Sequence, residues 1–348
     1  MGEHKKYMRR CLELAALGMG NVSPNPMVGA IVVMDTIIIG EGYHHKYGEA
    51  HAEVNAINQV ISNFSDSAEL LDQSTLYVSL EPCAHYGKTP PCADLIIKHK
   101  IPKVVIGCRD PFEAVNGKGV EKLLAAGIDV TTGILEEECQ WLNRRFFTRT
   151  QQHRPYVILK WAQTADGFFA SGDNSQHWIT GQESRRLVHQ WRSEEDAVLV
   201  GKNTAAIDNP QLNVRLAHGR NPKRVVIDRK LELNKNLNLF DQSIETLVFN
   251  EIKTDVASNV KYIALEDFDR YVPQYILYQL YLQDIQSVIV EGGAHTLKSF
   301  IDAGLWDEAR IFTGPGCLET GIRSPQINGK PHGEFFIGED KLLVLVNR

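Results

Sequence analysis

Two hydrophobic periods alternate along the first 145 residues. Tyr7, Met8, Cys11, Leu12, Ala15 and Ala16 recur at helical spacing, which predicts an amphipathic helix. MVGAIVVMDTIIIGEGY is β-branched and broken at Met34-Asp35, so it predicts two strands or a hairpin. HAEVNAINQVI then reads as a helix, TLYVSLEP as a strand and CADLIIKHK as a helix. KVVIGCRDP reads as a buried strand, VEKLLAAGI as a helix and DVTTGIL as a last strand. Such alternation predicts an α/β layered fold with helices on both faces of a sheet.

The segment from Asn143 to Pro155, NRRFFTRTQQHRP, is polar and basic and ends in proline, which marks it as the boundary between domains. Beyond it the alternation restarts through YVILKWA, ESRRLVHQW, DAVLVG, KRVVID, TLVFN, YQLYLQ, SVIVEGG, TLKSFIDAG and EARIFTG. No internal repeat relates the halves. The expectation is two different α/β domains, 1–147 and 154–348. The length of 348 residues agrees, at roughly 100–200 residues per domain.

Composition narrows the classes of function. With 43% hydrophobic and 23% charged residues and a net charge of -6, the chain reads as globular and mildly acidic. No basic block marks a nucleic-acid face, and no run reaches the roughly 20 apolar residues of a membrane span. Glu13 interrupts the apolar part of the N-terminus, against a signal peptide. A cytoplasmic protein acting on small molecules is expected. In that reducing compartment, grouped Cys and His point to metal or catalysis rather than to disulfides. Cys11, Cys108, Cys139 and Cys317 stand alone and read as packing residues. Cys83 and Cys92 do not.

His51-Ala52-Glu53 opens a predicted helix, and thirty residues on a strand ends in Glu81-Pro82-Cys83, followed by Cys92. One imidazole and two thiolates suit Zn²⁺, and three protein ligands leave a fourth position for water, as in a catalytic site. Glu53 then lies beside the metal as a proton carrier. This is the H-x-E…P-C pattern of zinc-dependent nucleobase deaminases. The usual P-C-x-x-C ending is absent, because eight residues separate the sulfurs here. A structural zinc with His85 as fourth ligand is the alternative. Asn25, in the loop SPNPMVG, can read a heterocycle edge or simply shape a turn before proline. His85 and Lys88, between the cysteines, are polar groups that can meet a phosphate.

PNPMVGAIVV, GEGYHHKYGEAHAE, EPCAHYGKTPPC and DPFEAVNGKG, in that order, resemble the deaminase half of the bifunctional riboflavin-biosynthesis deaminase/reductase family, which has the long loop between its cysteines. The resemblance implies a cytidine-deaminase-like three-layer α/β/α domain. It also implies zinc on His51, Cys83 and Cys92, Glu53 as proton shuttle, and Asn25, His85 and Lys88 on the substrate. Phe112 and Glu113 stand where the family commonly has Asn-Pro and are left out of the site.

The second half lacks G-x-G-x-x-G. Its SVIVEGG strand and following helix offer glycines either for a phosphate or merely for a tight turn. LKWAQTADG, HWITG, DAVLVGKNTAAIDNPQLNVR and VEGG are similar to the reductase half of the same family, which has a dihydrofolate-reductase-like α/β fold. By that resemblance Trp178, Thr204, Asp208 and Gly293 contact NADPH, and Arg192, Leu212, Arg215 and Glu291 contact the sugar-phosphate substrate. Lys160, Asp166 and Glu291 remain open as groups that assist protonation.

The expected protein is a riboflavin-biosynthesis enzyme. It deaminates 2,5-diamino-6-ribosylamino-4(3H)-pyrimidinone 5′-phosphate with zinc, then reduces the ribosyl chain to ribityl with NADPH. The expected partners are pyrimidine ribose phosphates and further copies of the chain, without nucleic acid or membrane. A tRNA or nucleoside deaminase with an accessory domain, and an inactive binding homologue, are the alternatives.

Overall fold

A computed structural model of the chain describes residues 2–86, 90–113, 115–172 and 178–347. It divides into two compact units, Met1–His153 and Arg154–Arg348.

The first unit runs α1 (Gly2–Ala16), β1 (Gly29–Met34), β2 (Ile37–Tyr43), α2 (Ala52–Asn63), α3 (Ser67–Leu71), β3 (Thr75–Leu80), α4 (Cys92–Lys98), β4 (Lys103–Cys108), α5 (Lys118–Ala125), β5 (Asp129–Thr131), α6 (Glu136–Leu142) and α7 (Arg144–Gln152). Asp35 and Thr36, both at positive φ, turn β1 directly into β2. The sheet order is β2-β1-β3-β4-β5. β1 is antiparallel to both neighbours, and β3, β4 and β5 are mutually parallel. Alternation along the strands separates two cores. Ala30, Val32, Val78 and Val104 meet Ala56 and Ile57 of α2, Ile96 of α4 and Leu123 of α5. Ile31, Val33, Tyr77 and Val105 meet Met8 and Cys11 of α1 and Cys139 of α6. The result is three layers, α/β/α.

Two local expectations change. DVTTGIL keeps only the three residues of β5 as strand before the chain turns into α6. The polar segment read as a linker is helical from Arg144 to Gln152. Arg145 and Thr148 are buried in it, so its polarity did not mean exposure.

The second unit runs β6 (Tyr156–Gln163), β7 (Phe168–Ala170), α8 (Gln182–Glu194), β8 (Ala197–Gly201), α9 (Lys202–Asp208), β9 (Lys223–Ile227), β10 (Thr246–Asn250), β11 (Asp255–Ala257), β12 (Val260–Ala264), α10 (Val272–Leu282), β13 (Ser287–Gly292), α11 (Ala294–Asp302), β14 (Glu308–Thr313), β15 (Ile322–Arg323), β16 (Lys330–Ile337) and β17 (Asp340–Val346). Ten strands form one sheet in the order β11-β12-β10-β9-β8-β13-β6-β14-β17-β16. It is parallel from β12 to β14 and antiparallel at its ends. Val157, Leu159, Val288 and Val290 point into one core, and Tyr156, Ile158 and Ile289 into the other. Strands buried on both faces explain the unbroken apolar runs YVIL and SVIV. No helix among the described residues is long and apolar enough to cross a membrane.

Candidate active sites

In the first unit, the backbone around His51 is set by close packing of α2 on β2. A Cβ at Gly42 would lie 2.4 Å from Ala56 N and 2.5 Å from Ala52 O, so glycine lets the helix approach. Asn55 ties the same turn down, donating from Nδ2 to Tyr43 O at 2.8 Å. His51 occupies the cap of α2, and its Nδ1 lies 3.6 Å from Cys83 Sγ and 3.3 Å from Cys92 Sγ. The three ligand atoms all fall within 4.8 Å of one another. Bonds of about 2.3 Å to sulfur and 2.0–2.1 Å to nitrogen at tetrahedral angles put N and S about 3.5 Å apart. The donor set therefore fits one zinc ion.

The two cysteines that flank the long loop meet through the backbone. Cys83 ends the β3 connection, and Cys92 is the first residue of α4. Cys92 N–H donates to Cys83 Sγ at 3.3 Å, and Ala93 N–H to Cys83 O at 3.1 Å. Hydrogen bonding from the Cys92 thiol, aided by His51, holds the Cys83 thiol down to about 4. Glu53 is only 3% exposed, and burial pushes its carboxyl above the usual carboxylate range.

Asn25, His44, His51, Glu53, Glu81, Cys83, His85 and Asp110 all line a cleft of about 350 Å³. A short relay orients Asn25. His44 Nδ1 donates to Ala50 O at 3.0 Å, which leaves its Nε2 as an acceptor for Asn25 Nδ2 at 3.1 Å. Asn25 Oδ1 is thereby an acceptor available to a ligand. Burial lowers the pKa of His44. Lys88 lies outside the described residues.

Glu81 has a role that its motif did not reveal. Its carboxylate accepts backbone N–H groups from Asp110 (3.3 Å), Gly117 (3.0 Å), Gly119 (3.0 Å) and Val120 (3.2 Å). It pins the loop after β4 to the end of β3. Asp110 on that loop lines the cleft, accepts Phe112 N–H at 2.8 Å, and is pushed up to about 7 by burial. The stretch DPFEAVNGKG marked this loop as a motif, but nothing local said that Glu81 holds it.

In the second unit, Arg192 of α8 and Glu291 of β13 form a bidentate pair, Nε to Oε1 at 2.7 Å and Nη2 to Oε2 at 2.6 Å. Burial would raise Glu291, but Arg192, with help from Lys160, holds it down to about 2. Lys160 on β6 is lowered by burial against the pull of Glu291. Arg215 bonds Asn213 Oδ1 through Nη1 at 3.0 Å, and Arg192 Nη1 reaches Asn213 O at 3.3 Å. His189, three residues before Arg192 on α8, accepts Arg215 N–H on Nδ1 at 3.2 Å. Burial, then Arg192 and Arg215, lower it to about 4. Lys160, Arg192 and Arg215 against Glu291 leave an excess of positive charge, which suits an anionic ligand. Leu212 is 2% exposed with its side chain in the core, so only its backbone, at φ 46°, is available there.

Thr204, Asp208 and Gly293 line a separate cavity of about 790 Å³, beside Gly201 and Ile227 at the carboxyl ends of β8 and β9. Ligands of open α/β sheets sit at such strand ends. A Cβ at Gly201 would meet Thr296 Oγ1 at 2.4 Å, and one at Gly292 would meet Thr204 Cγ2 at 2.9 Å. Trp178 is 63% exposed, with the Arg185 guanidinium 4.7 Å over its ring, and does not line that cavity.

Comparison with known proteins decides the family. Residues 1–108 match the cytidine and deoxycytidylate deaminase zinc-binding region, and residues 155–325 match the RibD C-terminal domain. The riboflavin biosynthesis protein RibD of Aquifex aeolicus is 41% identical over 325 residues, covering 91% of this chain and 88% of its own length. The chain belongs to the RibD family. RibD of Bacillus amyloliquefaciens is likewise 41% identical, over 94% of this chain and 91% of its own. The crystal structure of the deaminase/reductase from Thermotoga maritima superposes with a TM-score of 0.91 at 39% identity, covering 100% of this chain and 99% of that one. As a RibD, the chain is bifunctional in riboflavin biosynthesis, a deaminase followed by a reductase, acting on small pyrimidine substrates.

Proposed function

We propose that the first unit removes the 2-amino group of 2,5-diamino-6-ribosylamino-4(3H)-pyrimidinone 5′-phosphate, and that the second reduces the ribosyl chain to ribityl. The observation carrying this reading is the tetrahedral spacing of His51, Cys83 and Cys92 with Glu53 buried in the same cleft. The cofactors are zinc and NADPH. His51, Cys83 and Cys92 would hold the zinc, which when bound would acidify a water to a pKa of about 7. Glu53 takes a proton from the attacking water and delivers it to the departing amino nitrogen as the C–O bond forms and C–N breaks. Asn25, fixed by His44, offers Oδ1 to a donor on the pyrimidine edge, and His85 and Lys88 serve the ribose-phosphate end.

In the second unit, the Gly201, Thr204, Asp208 and Gly293 cavity receives NADPH, with the amino end of α11 toward its phosphates. Trp178 lies outside the lining of that cavity and is left out of the cofactor site. NADPH supplies the hydride. Arg192, Glu291, Arg215 and the Leu212 backbone hold the sugar phosphate. A cytoplasmic location and a homo-oligomer are expected, and for the oligomer the exposed Phe335 and Phe336 of edge strand β16 are the supporting feature. The mild acidity speaks against a nucleic-acid partner.

The test is incubation of the full chain with the diaminopyrimidinone phosphate, with and without NADPH, following products by mass. Ammonia release without NADPH, and a gain of two hydrogens only with it, are expected. Reduction without prior deamination would overturn the order of steps.

A further inference from the structure

On sequence Phe112 falls outside the expected site, since Phe-Glu stands where the family commonly has Asn-Pro. The fold brings it back. Phe112 lines the deaminase cleft and is 46% exposed, an aromatic ring half bare to water on the wall of a substrate cavity. Single exposed apolar side chains are common on protein surfaces, so exposure alone decides nothing. What singles out Phe112 is how firmly it is held in place.

Its N–H donates to Asp110 Oδ1 at 2.8 Å, and its C=O accepts Val115 N–H at 2.8 Å and Asn116 N–H at 2.9 Å. On either side of that turn, Glu81 takes the N–H groups of Asp110 and Gly117. β3 and β4 are parallel neighbours, with Leu80 paired to Cys108. The chain leaves both strands at their carboxyl ends and brings His85 and Phe112 together there. Their rings meet edge to face, with centroids 6.0 Å apart and planes at 62°. Among the described residues, Phe112 joins neither hydrophobic core of the first unit's sheet. Backbone bonds place the ring, and core packing does not cover it.

The substrate proposed for this cleft presents two kinds of surface. Its edge carries donors and acceptors, for which Asn25 is set by His44. Its two faces are π-surfaces, and a hydrogen bond in the ring plane leaves that plane free to tilt. Water adds to C2 perpendicular to the plane, so the ring must keep one face toward His51, Cys83 and Cys92. We propose that Phe112 stacks on the pyrimidine face of the deaminase substrate and fixes the plane of its ring. This rests on the deaminase reading above. Where Asn would offer an amide, this chain offers a flat apolar surface, so the contact is one of area and stacking and needs no charge. Phe112 moves no proton, and its loss shows in binding first.

The experiment measures ammonia release by the full chain from the diaminopyrimidinone phosphate without NADPH, for Phe112→Ala, Phe112→Leu and Phe112→Tyr. Phe112→Ala is expected to raise KM about 5- to 150-fold, the range of one base–aromatic stack, with the smaller share of the loss in kcat. Phe112→Tyr is expected to stay close to the unaltered chain. Phe112→Leu, apolar but without a ring face, is expected to lose most of what Phe112→Ala loses. Zinc content and NADPH-dependent reduction of the deaminated product report that both units remain folded. An unchanged KM in Phe112→Ala, or a KM in Phe112→Leu equal to that of the unaltered chain, would overturn the assignment. If Phe112→Ala does not fold, the other two variants decide: a raised KM in Phe112→Leu but not in Phe112→Tyr supports stacking, and equal constants refute it. Failure of the unaltered chain to release ammonia would refute the deaminase reading and this assignment with it.

Discussion

Glu53 and Glu291 are the same residue type, both enclosed, in sites of opposite design. No arginine fork meets Glu53 among the described residues, and burial raises its pKa. Glu291 is gripped by Arg192 through two short hydrogen bonds and held near 2. A carboxyl without a bound cationic side chain is free to exchange a proton. One locked in a fork is a permanent counter-ion that orients its arginine. On the proposed reading, the first site is built around proton movement, and the second around fixed charge that would hold an anion for hydride transfer.

Substitution at each acid or its partner separates these designs. The largest effect is expected for Glu53→Gln, which keeps the shape and loses the proton carrier. Ammonia release should fall by about 10²- to 10⁴-fold with zinc content and NADPH-dependent reduction retained. Survival of ammonia release, measured with the diaminopyrimidinone phosphate, would end the assignment. Next is Arg192→Ala, which strands Glu291 in a buried site. A loss of about 3–5 kcal/mol in unfolding free energy and a strong loss of reduction are expected, with deamination retained. Replacing both partners, as Arg192→Met with Glu291→Leu, should restore much of the stability without restoring reduction, which calorimetry and turnover together would read.

The smallest effect concerns His189. Its folded pKa near 4 lies below the unfolded value of about 6.5, so the neutral form is the one the fold favours. That contribution is fully present above pH 6.5 and is lost as pH falls toward 4, because the unfolded chain then binds the proton more readily. The thermal midpoint should therefore drop across that window in the unaltered chain and drop less in His189→Asn. Equal slopes for the two would remove His189 from the charge balance around Arg192.

Much of the architecture was legible because strands and helices leave periodic traces. The Met34-Asp35 break became the β1–β2 turn, and HAE fell at the start of α2 as its spacing suggested. The segment 143–155 misled, since a polar helix and a polar linker have the same composition. Of its buried positions, Asn143 satisfies its amide on the backbone of Met27 rather than in water. β16 and β17 were passed over because β16 is largely exposed and lacks a clean apolar alternation.

The sequence by itself determined the chemistry available: one imidazole and two thiols near an acid, and a strand ending in Glu-Gly-Gly. Those follow from residue types and short spacings, where the chain's own periodicity places each group. The tertiary structure alone decided the partners. Asn143 meets Met27 across 116 positions, Arg192 meets Glu291 across 99, and Glu81 collects N–H groups 29 to 39 positions away. A hydrogen bond is directional and short, so which donor meets which acceptor depends on how layers stack. No local pattern encodes it. The same stacking turned a supposed linker into helix α7, whose Phe146 and Thr150 line the deaminase cleft.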